Sequence, residues 1–234
     1  MTLIAGHRGS RHFGTKPYLG RALALTGRED PRVLYIGAAS DDDSTFGEAL
    51  AALLVVAGAR EVLWPKLTGQ RRQVAAARKA IADVNLIFVG GGDVEAGMQA
   101  LRDADLIAAL TAAAARGVVF VGMSAGAIML GERWIRWPRE DAGDNEAETY
   151  ECLGLARCSL DTHGEGDDWA EARAFVAVRA REQGRQARAY GVPSGGALVV
   201  AAGGTISACG RSVPVFVAGP HKEATIETTL FPDQ

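Results

Sequence analysis

Short apolar runs alternate with longer amphipathic segments along the first half of the chain. Met1 to Gly6 reads as a short apolar strand. Arg32 to Ala38 reads as a buried strand introduced by Pro31. Asp41 to Ser44 is a helix-start cluster, and the Ala- and Leu-rich run Phe46 to Ala57 predicts a helix ending at Gly58. Arg60 to Trp64 reads as a strand stopped by Pro65, and Gln70 to Ala82 as a helix with a basic outer face. Asn85 to Val89 predicts a strand running into Gly90-Gly91-Gly92, after which Asp93 can cap a helix reaching Leu101. Asp103 to Ala115 predicts another helix, stopped by Gly117, and Val118 to Val121 a further strand. Strands alternating with helices of about a dozen residues predict βαβ units, hence a mostly parallel sheet with helices on both faces. In such sheets the site lies at the carboxyl ends of the strands, where both Gly-rich turns fall.

The second half is less regular. Trp134 to Tyr150 shows no clear period and reads as a long surface loop. An apolar stretch beginning at Leu153 predicts a strand followed by a loop at His163. Asp167 to Gln186 has helical spacing, with Trp169, Ala172, Phe175 and Val176 on one face. Ala197 to Ala201, Thr205 to Cys209 and Val213 to Val217 read as an antiparallel meander closing one sheet edge. There is no internal repeat and no linker long enough to divide the chain, so a single α/β domain over 1–234 is expected.

Composition removes several function classes. Of the 234 residues, 48% are apolar, enough for a sizeable core, and the net charge is −3. That charge gives no electrostatic case for a nucleic-acid or membrane partner. No apolar run reaches the roughly 18 residues that span a bilayer, and the first residues lack the form of a signal peptide. The three cysteines, Cys152, Cys158 and Cys209, are odd in number and lack metal-site spacing. They predict free thiols in a reducing cytoplasm.

The chemistry concentrates at Gly122-Met123-Ser124-Ala125-Gly126. An apolar strand entering Gly-x-Ser-x-Gly and leaving into a small-residue helix, Ala125 to Leu130, is a nucleophile elbow in sequence form. Ser124 would stand at the tip of the turn, with the Ala125 N–H pointing at a developing oxyanion. The same pattern also fits a plain Gly-rich βα loop. Gly90-Gly91-Gly92-Asp93 offers a second backbone donor from a neighbouring strand end. No Lys-Ser/Thr follows those glycines, which excludes a P-loop. A serine nucleophile needs a base. Of four histidines, His7 and His12 lie in a Gly-rich basic segment and His221 lies near the C-terminus. His163, after a strand, is best placed to aim an imidazole into a cleft.

Taken together, Gly-Gly-Gly-Asp at 90–93, Gly-Met-Ser-Ala-Gly-Ala at 122–127, Leu153-Gly154-Leu155 and Asp161-Thr162-His163 resemble peptidase family S51. That family holds the aspartyl dipeptidases (peptidase E) and the cyanophycinases. Tyr190-Gly191-Val192 and Ala197 to Val200 resemble its late strand pair, so the likeness covers most of 30–210. The resemblance implies a class I glutamine-amidotransferase-like, flavodoxin-like sandwich. It also implies Ser124 as nucleophile, His163 as base, and an oxyanion hole from the N–H groups of Gly91 and Ala125. The family's triad acid lies in the loop after the elbow helix, where this chain has Glu140 and Asp141. Asp161, two residues before His163 in a strand, shares its face and is a third candidate. No metal or organic cofactor is implied.

The chain also departs from its apparent relatives. Gly164-Glu165-Gly166-Asp167-Asp168 follows the histidine where many members have Phe and an Arg-rich stretch. Val192-Pro193-Ser194-Gly195-Gly196 stands where cyanophycinases have Ile-Asp-Glu, so the carboxylates of that turn are missing. The expected activity is a serine peptidase cutting short peptides at Asp-X bonds through an acyl-enzyme. Arg133, Arg136, Arg139 and Arg157 are the cations near enough in sequence to meet an acidic side chain. The alternatives are a cyanophycinase-like β-aspartyl-arginine hydrolase, for which Glu165 to Asp168 could meet the arginine, and a catalytically inactive binding module of the same fold. A homodimer is left open.

Overall fold

A computed structural model describes residues 1–5, 16–70, 72–139, 141–143, 146–183, 187–219 and 224–232. The parallel strands of the central sheet are β1 (Thr2–Ile4), β2 (Arg32–Ile36), β3 (Glu61–Leu63), β4 (Leu86–Val89) and β5 (Val119–Met123). Two antiparallel strands, β10 (Ala197–Val200) and β11 (Ile206–Cys209), extend it beyond β1. The spatial order is β11-β10-β1-β5-β4-β2-β3. The fold is therefore mixed α/β with a mostly parallel sheet, as expected.

Side chains alternate across the pleat, so each central strand serves two cores. Leu3, Leu34, Ile36, Ile87, Val89 and Phe120 face one way. They pack on α3 (Val74–Asp83), α4 (Val94–Asp103), α5 (Ile107–Ala115) and α6 (Ala125–Leu130). Ile4, Val33, Tyr35, Leu86, Phe88 and Val121 face the other way, onto α1 (Lys16–Ala24) and α2 (Ser44–Val56). Burial on both faces is why these strands read as nearly unbroken apolar runs. The caps also sit where the sequence places them. Asp43 accepts from Phe46 N at 2.7 Å to start α2, and Asp93 accepts from Ala96 N at 2.7 Å to start α4. The helix expected over 103–115 starts only at Ile107, because Asp105 adopts φ 50 and breaks the chain after α4.

Two expectations for the second half need correction. Residues 134–150 are not simply a loop: β6 (Arg133–Arg136) and β7 (Glu148–Glu151) form a hairpin. Trp134 opposes Tyr150, with ring centroids 6.4 Å apart at 84°, and Arg136 opposes Glu148. Charges flanking single aromatic residues hid the period of two. The meander is also broken. β12 (Val213–Ala218) leaves the central sheet and joins β8 (Ser159–Thr162), β9 (Arg188–Val192) and β13 (Ala224–Leu230) in a second sheet ordered β13-β12-β9-β8. Its Phe216 is fully buried and packs on Trp169, in a third core that includes Ala172, Phe175 and Val176 of α7 (Ala170–Gln183). Packing on α7 therefore decides which sheet β12 joins. Helix α1 and strand β13 lie in segments with no clear pattern.

Among the described residues no helix is long and apolar enough to cross a membrane.

Phe120 of β5 is fully buried, whereas Phe231 is 75% exposed. Phe120→Ala should cost roughly 3–5 kcal/mol of unfolding free energy by denaturant titration. Phe231→Ala should stay within about 0.5 kcal/mol. Equal effects would contradict this packing.

Candidate active site

Strand β5 ends at Met123, α6 begins at Ala125, and Ser124 between them adopts φ 53, ψ −124. A non-glycine residue with positive φ is strained, and such strain persists only where its surroundings impose it. Here Ser124 N donates to Ile4 O at 2.8 Å, and Ser124 O accepts from Ala127 N at 2.8 Å and Ile128 N at 3.2 Å. The two glycines of the motif are required by close approach. A Cβ on Gly126 would lie 2.2 Å from Val89 O, and one on Gly122 would lie 2.5 Å from Gly126 O. Without those side chains, α6 is pressed against the ends of β4 and β5.

Gly91 sits directly beside the serine: a Cβ there would be 3.1 Å from Ser124 Cβ and 3.7 Å from its Oγ. Its turn is held by Gly90 N donating to Ile36 O at 2.9 Å and Asp93 N donating to Ala39 O at 2.7 Å. Ser124, Gly91 and Ala125 line one wall of a cleft of about 520 Å³, and Thr162, His163, Trp134 and Glu171 also line it.

His163 follows β8 and adopts φ 66, ψ 16. Its N–H donates to Val192 O at 3.2 Å, continuing the parallel β8–β9 pairing in which Thr162 lies beside Val192. That register brings the turn after β9 alongside the imidazole, and Nδ1 of His163 lies 3.0 Å from Ser194 Oγ. Ser194 N in turn donates to Glu165 Oε1 at 2.9 Å. Burial pushes the Glu165 carboxyl up. Hydrogen bonds from the Ser194 side chain and from backbone N–H groups, with the charge of His163, outweigh that and hold it below its usual value.

Of the carboxylates expected behind His163, Asp141 and Asp161 are among the described residues. Asp141 is 83% exposed and pairs with Arg139 Nε at 2.9 Å. Glu140 lies outside the described residues, as do His7, His12 and His221. Asp161 is buried, and its Oδ2 accepts from Ala172 N at 3.2 Å in the first turn of α7. Burial, reinforced by the nearby charge of Glu171, pushes its carboxyl up to about 7.

The arginines proposed as partners for an acidic substrate are engaged or distant. Arg133 pairs with Glu151, Arg136 with Glu95 and Glu148, and Arg139 with Asp141 and Glu146. Arg157 lines a separate hollow beside Met1 and Leu155. The charged or ionisable side chains lining the cleft, among the described residues, are Asp93, His163 and Glu171. Glu171 Oε2 accepts from Trp134 Nε1 at 2.7 Å. Sequence reasoning missed Trp134 and Glu171, and it noted Ser194 only as a missing carboxylate. Ser194 reaches His163 across a strand pair, which no local spacing announces.

All three cysteines are free. Burial pushes the thiols of Cys152 and Cys158 up to about 12, which leaves them inert. Among the described residues no group of three or more His, Cys, Asp or Glu could hold a metal ion.

Residues 3–207 match the family described as peptidase family S51. No curated protein matches the chain. Its fold is shared by several solved structures. A peptidase from an acI-B1 Actinobacterium is 14% identical, with a TM-score of 0.62, over 98% of this chain and 95% of that one. A putative peptidase E protein from Listeria monocytogenes EGD-e is 16% identical, with a TM-score of 0.60, over 88% and 96%.

Asp161 gives the site a stability signature. Its carboxyl is raised from 3.8 to about 7, so the folded state holds the proton more tightly than the unfolded chain. Its contribution is complete below the unfolded value and is lost as the pH rises through about 7. Asp161→Asn keeps an acceptor for Ala172 N, so its unfolding free energy should lack this decline. The difference between the two proteins, from urea titrations between about pH 4 and pH 8, should grow in favour of the variant. A constant difference would show that Asp161 ionises without penalty.

Proposed function

The chain belongs to peptidase family S51 and is a serine-type peptidase, and from that premise we propose that Ser124 is its nucleophile and His163 its general base. One observation carries the reading: Ser124 is held at φ 53 on a strand-to-helix corner, in a cleft that His163 also lines. Nε2 of His163 takes the hydroxyl proton as Ser124 Oγ attacks the scissile carbonyl. The N–H groups of Gly91 and Ala125 hold the oxyanion. The imidazolium then protonates the leaving amine, and water activated by His163 hydrolyses the acyl-enzyme. The free thiols fit a cytoplasmic setting.

For the substrate, cleavage of short peptides at Asp-X bonds rests on the family likeness. Its charge complement is not among the described cleft residues, since the arginines expected to supply it are paired or distant. A second reading, hydrolysis of β-aspartyl-arginine, is favoured by Asp93 and Glu171, two carboxylates lining the same cleft. An arginine side chain could pair with either.

A fluorophosphonate probe should label wild-type protein at Ser124 and leave Ser124→Ala unlabelled. His163→Ala should lower hydrolysis by roughly 10⁴- to 10⁶-fold, the scale of removing a triad member. An unlabelled wild-type protein would favour a binding module over an enzyme. Rates on Asp-Ala and on β-Asp-Arg, measured side by side by amine release, then separate the two substrate readings.

A further inference from the structure

A serine hydroxyl stands beside Nδ1 of His163. We propose that Ser194 and Glu165 form a two-step positioning relay for His163, in which Glu165 accepts from the Ser194 hydroxyl and that hydroxyl accepts from Nδ1–H of the imidazole. The inference rests on His163 being the base.

The geometry places the three residues side by side. His163 Nδ1 is 3.0 Å from Ser194 Oγ, and Glu165 Oε1 accepts from Ser194 N at 2.9 Å. Glu165 is exposed, and the Ser194 side chain together with backbone donors draws its carboxyl below the usual value. An ionised carboxylate can only accept, so in the relay the hydroxyl turns its proton toward Glu165. The hydroxyl oxygen then has only lone pairs to offer Nδ1, which fixes the proton on Nδ1 and leaves Nε2 unprotonated. That is the tautomer a base facing Ser124 needs. When Nε2 takes the serine proton, Nδ1 keeps its own, and the imidazolium charge is stabilised by Glu165 through the oriented hydroxyl.

The turn that carries Ser194 is anchored on several sides. Arg211 Nη1 donates to Ser194 O at 3.0 Å, Tyr18 Oη donates to Gly195 O at 2.7 Å, and Gly196 N donates to Pro193 O at 2.8 Å. A hydroxyl has one short side chain and one rotor, so its aim depends on such a fixed backbone. Glu165 lies in the short 3₁₀ turn Gly164–Gly166 that follows His163, so one loop supplies both ends of the relay. Among the described residues, the other charged groups on the elements around the imidazole are Asp161 on its own strand, Glu171 of α7, Asp93 at the start of α4, and Arg211 on the far side of the turn. Of these acids, none takes Glu165's place on Ser194.

The test reads the rate of fluorophosphonate labelling of Ser124 from about pH 5 to pH 9, which needs no knowledge of the substrate and whose acid limb reports the base of the free enzyme. Ser194→Ala and Glu165→Gln should each slow labelling about 10- to 100-fold at neutral pH. Each should also move the acid limb down by about half a unit to one unit, because the imidazolium loses its stabilising partner. Ser194→Thr, which keeps the hydroxyl, should recover most of the rate and restore the limb. Asp168→Asn, an exposed acid of the same loop paired with Arg173, should match wild type. Circular dichroism checks folding, and if Ser194→Ala does not fold, Glu165→Gln decides alone. Wild-type rates and an unmoved limb in Glu165→Gln would overturn the relay. If His163→Ala still abolishes labelling in that case, the base assignment stands without it. Undiminished labelling of His163→Ala would remove the base assignment and the relay together.

Discussion

Helix α6 lies so close to the end of β4 that no Cβ fits at Gly126, whose would-be Cβ falls 2.2 Å from Val89 O. This contact sets the direction in which the chain leaves β5. It forces the corner onto Ser124, which takes a backbone conformation that costs on the order of 1–3 kcal/mol. The cost is tolerated because β5 is central. It pairs with β1 on one side and β4 on the other, and Phe120 and Val121 fill opposite cores. A strand fixed on both edges and both faces cannot relax the turn at its end. The same packing draws the Gly90–Gly92 turn against Ser124, so the serine hydroxyl and the N–H groups beside it are placed by one constraint.

The second sheet solves a different problem, bringing side chains distant in sequence to the other wall of the cleft. Parallel pairing of β8 with β9 puts the residues beyond Thr162 next to those beyond Val192. Antiparallel partners would run past each other, whereas parallel strands deliver both following loops to one end. His163 and Ser194 meet for that reason. Helix α7 covers this sheet, and its first turn contributes Glu171 to the cleft and takes up the Asp161 carboxylate through Ala172 N.

Legibility in the sequence follows from these physics. Strands β2, β4 and β5 and the helices between them were readable because burial on both faces leaves uninterrupted apolar runs ending in glycine. The elbow was readable because its requirements are local: two absent side chains and a sharp turn within five residues. Strands β6 and β7 were not, because Arg133, Arg136, Glu148 and Glu151 are paired with each other and mask the aromatic pair they flank. Strand β12 was recognised as a strand and given the wrong neighbours, since its pattern states that it is half-buried and says nothing about which sheet buries it. The contact between His163 and Ser194 depends on strand register, a property of two segments jointly, and no single segment encodes it.

The carboxylates near His163 differ in what their burial costs. Asp161 is almost fully buried, and its backbone donors, Ala172 and Thr162, do not offset the burial and the acidic neighbours Glu171 and Asp167, so its charge is resisted and its proton retained to about 7. Glu165 is exposed and has several donors, so its charge is favoured. A carboxylate that must hold an imidazolium needs the second environment, because a group that readily takes a proton near neutrality loses its charge when the base needs it. Proximity in sequence favours Asp161 as the partner of His163, but solvation and hydrogen bonding favour Glu165. The acid behind a base is decided by which carboxylate can stay charged where it stands, and in the proposed relay that carboxylate is Glu165, acting through Ser194.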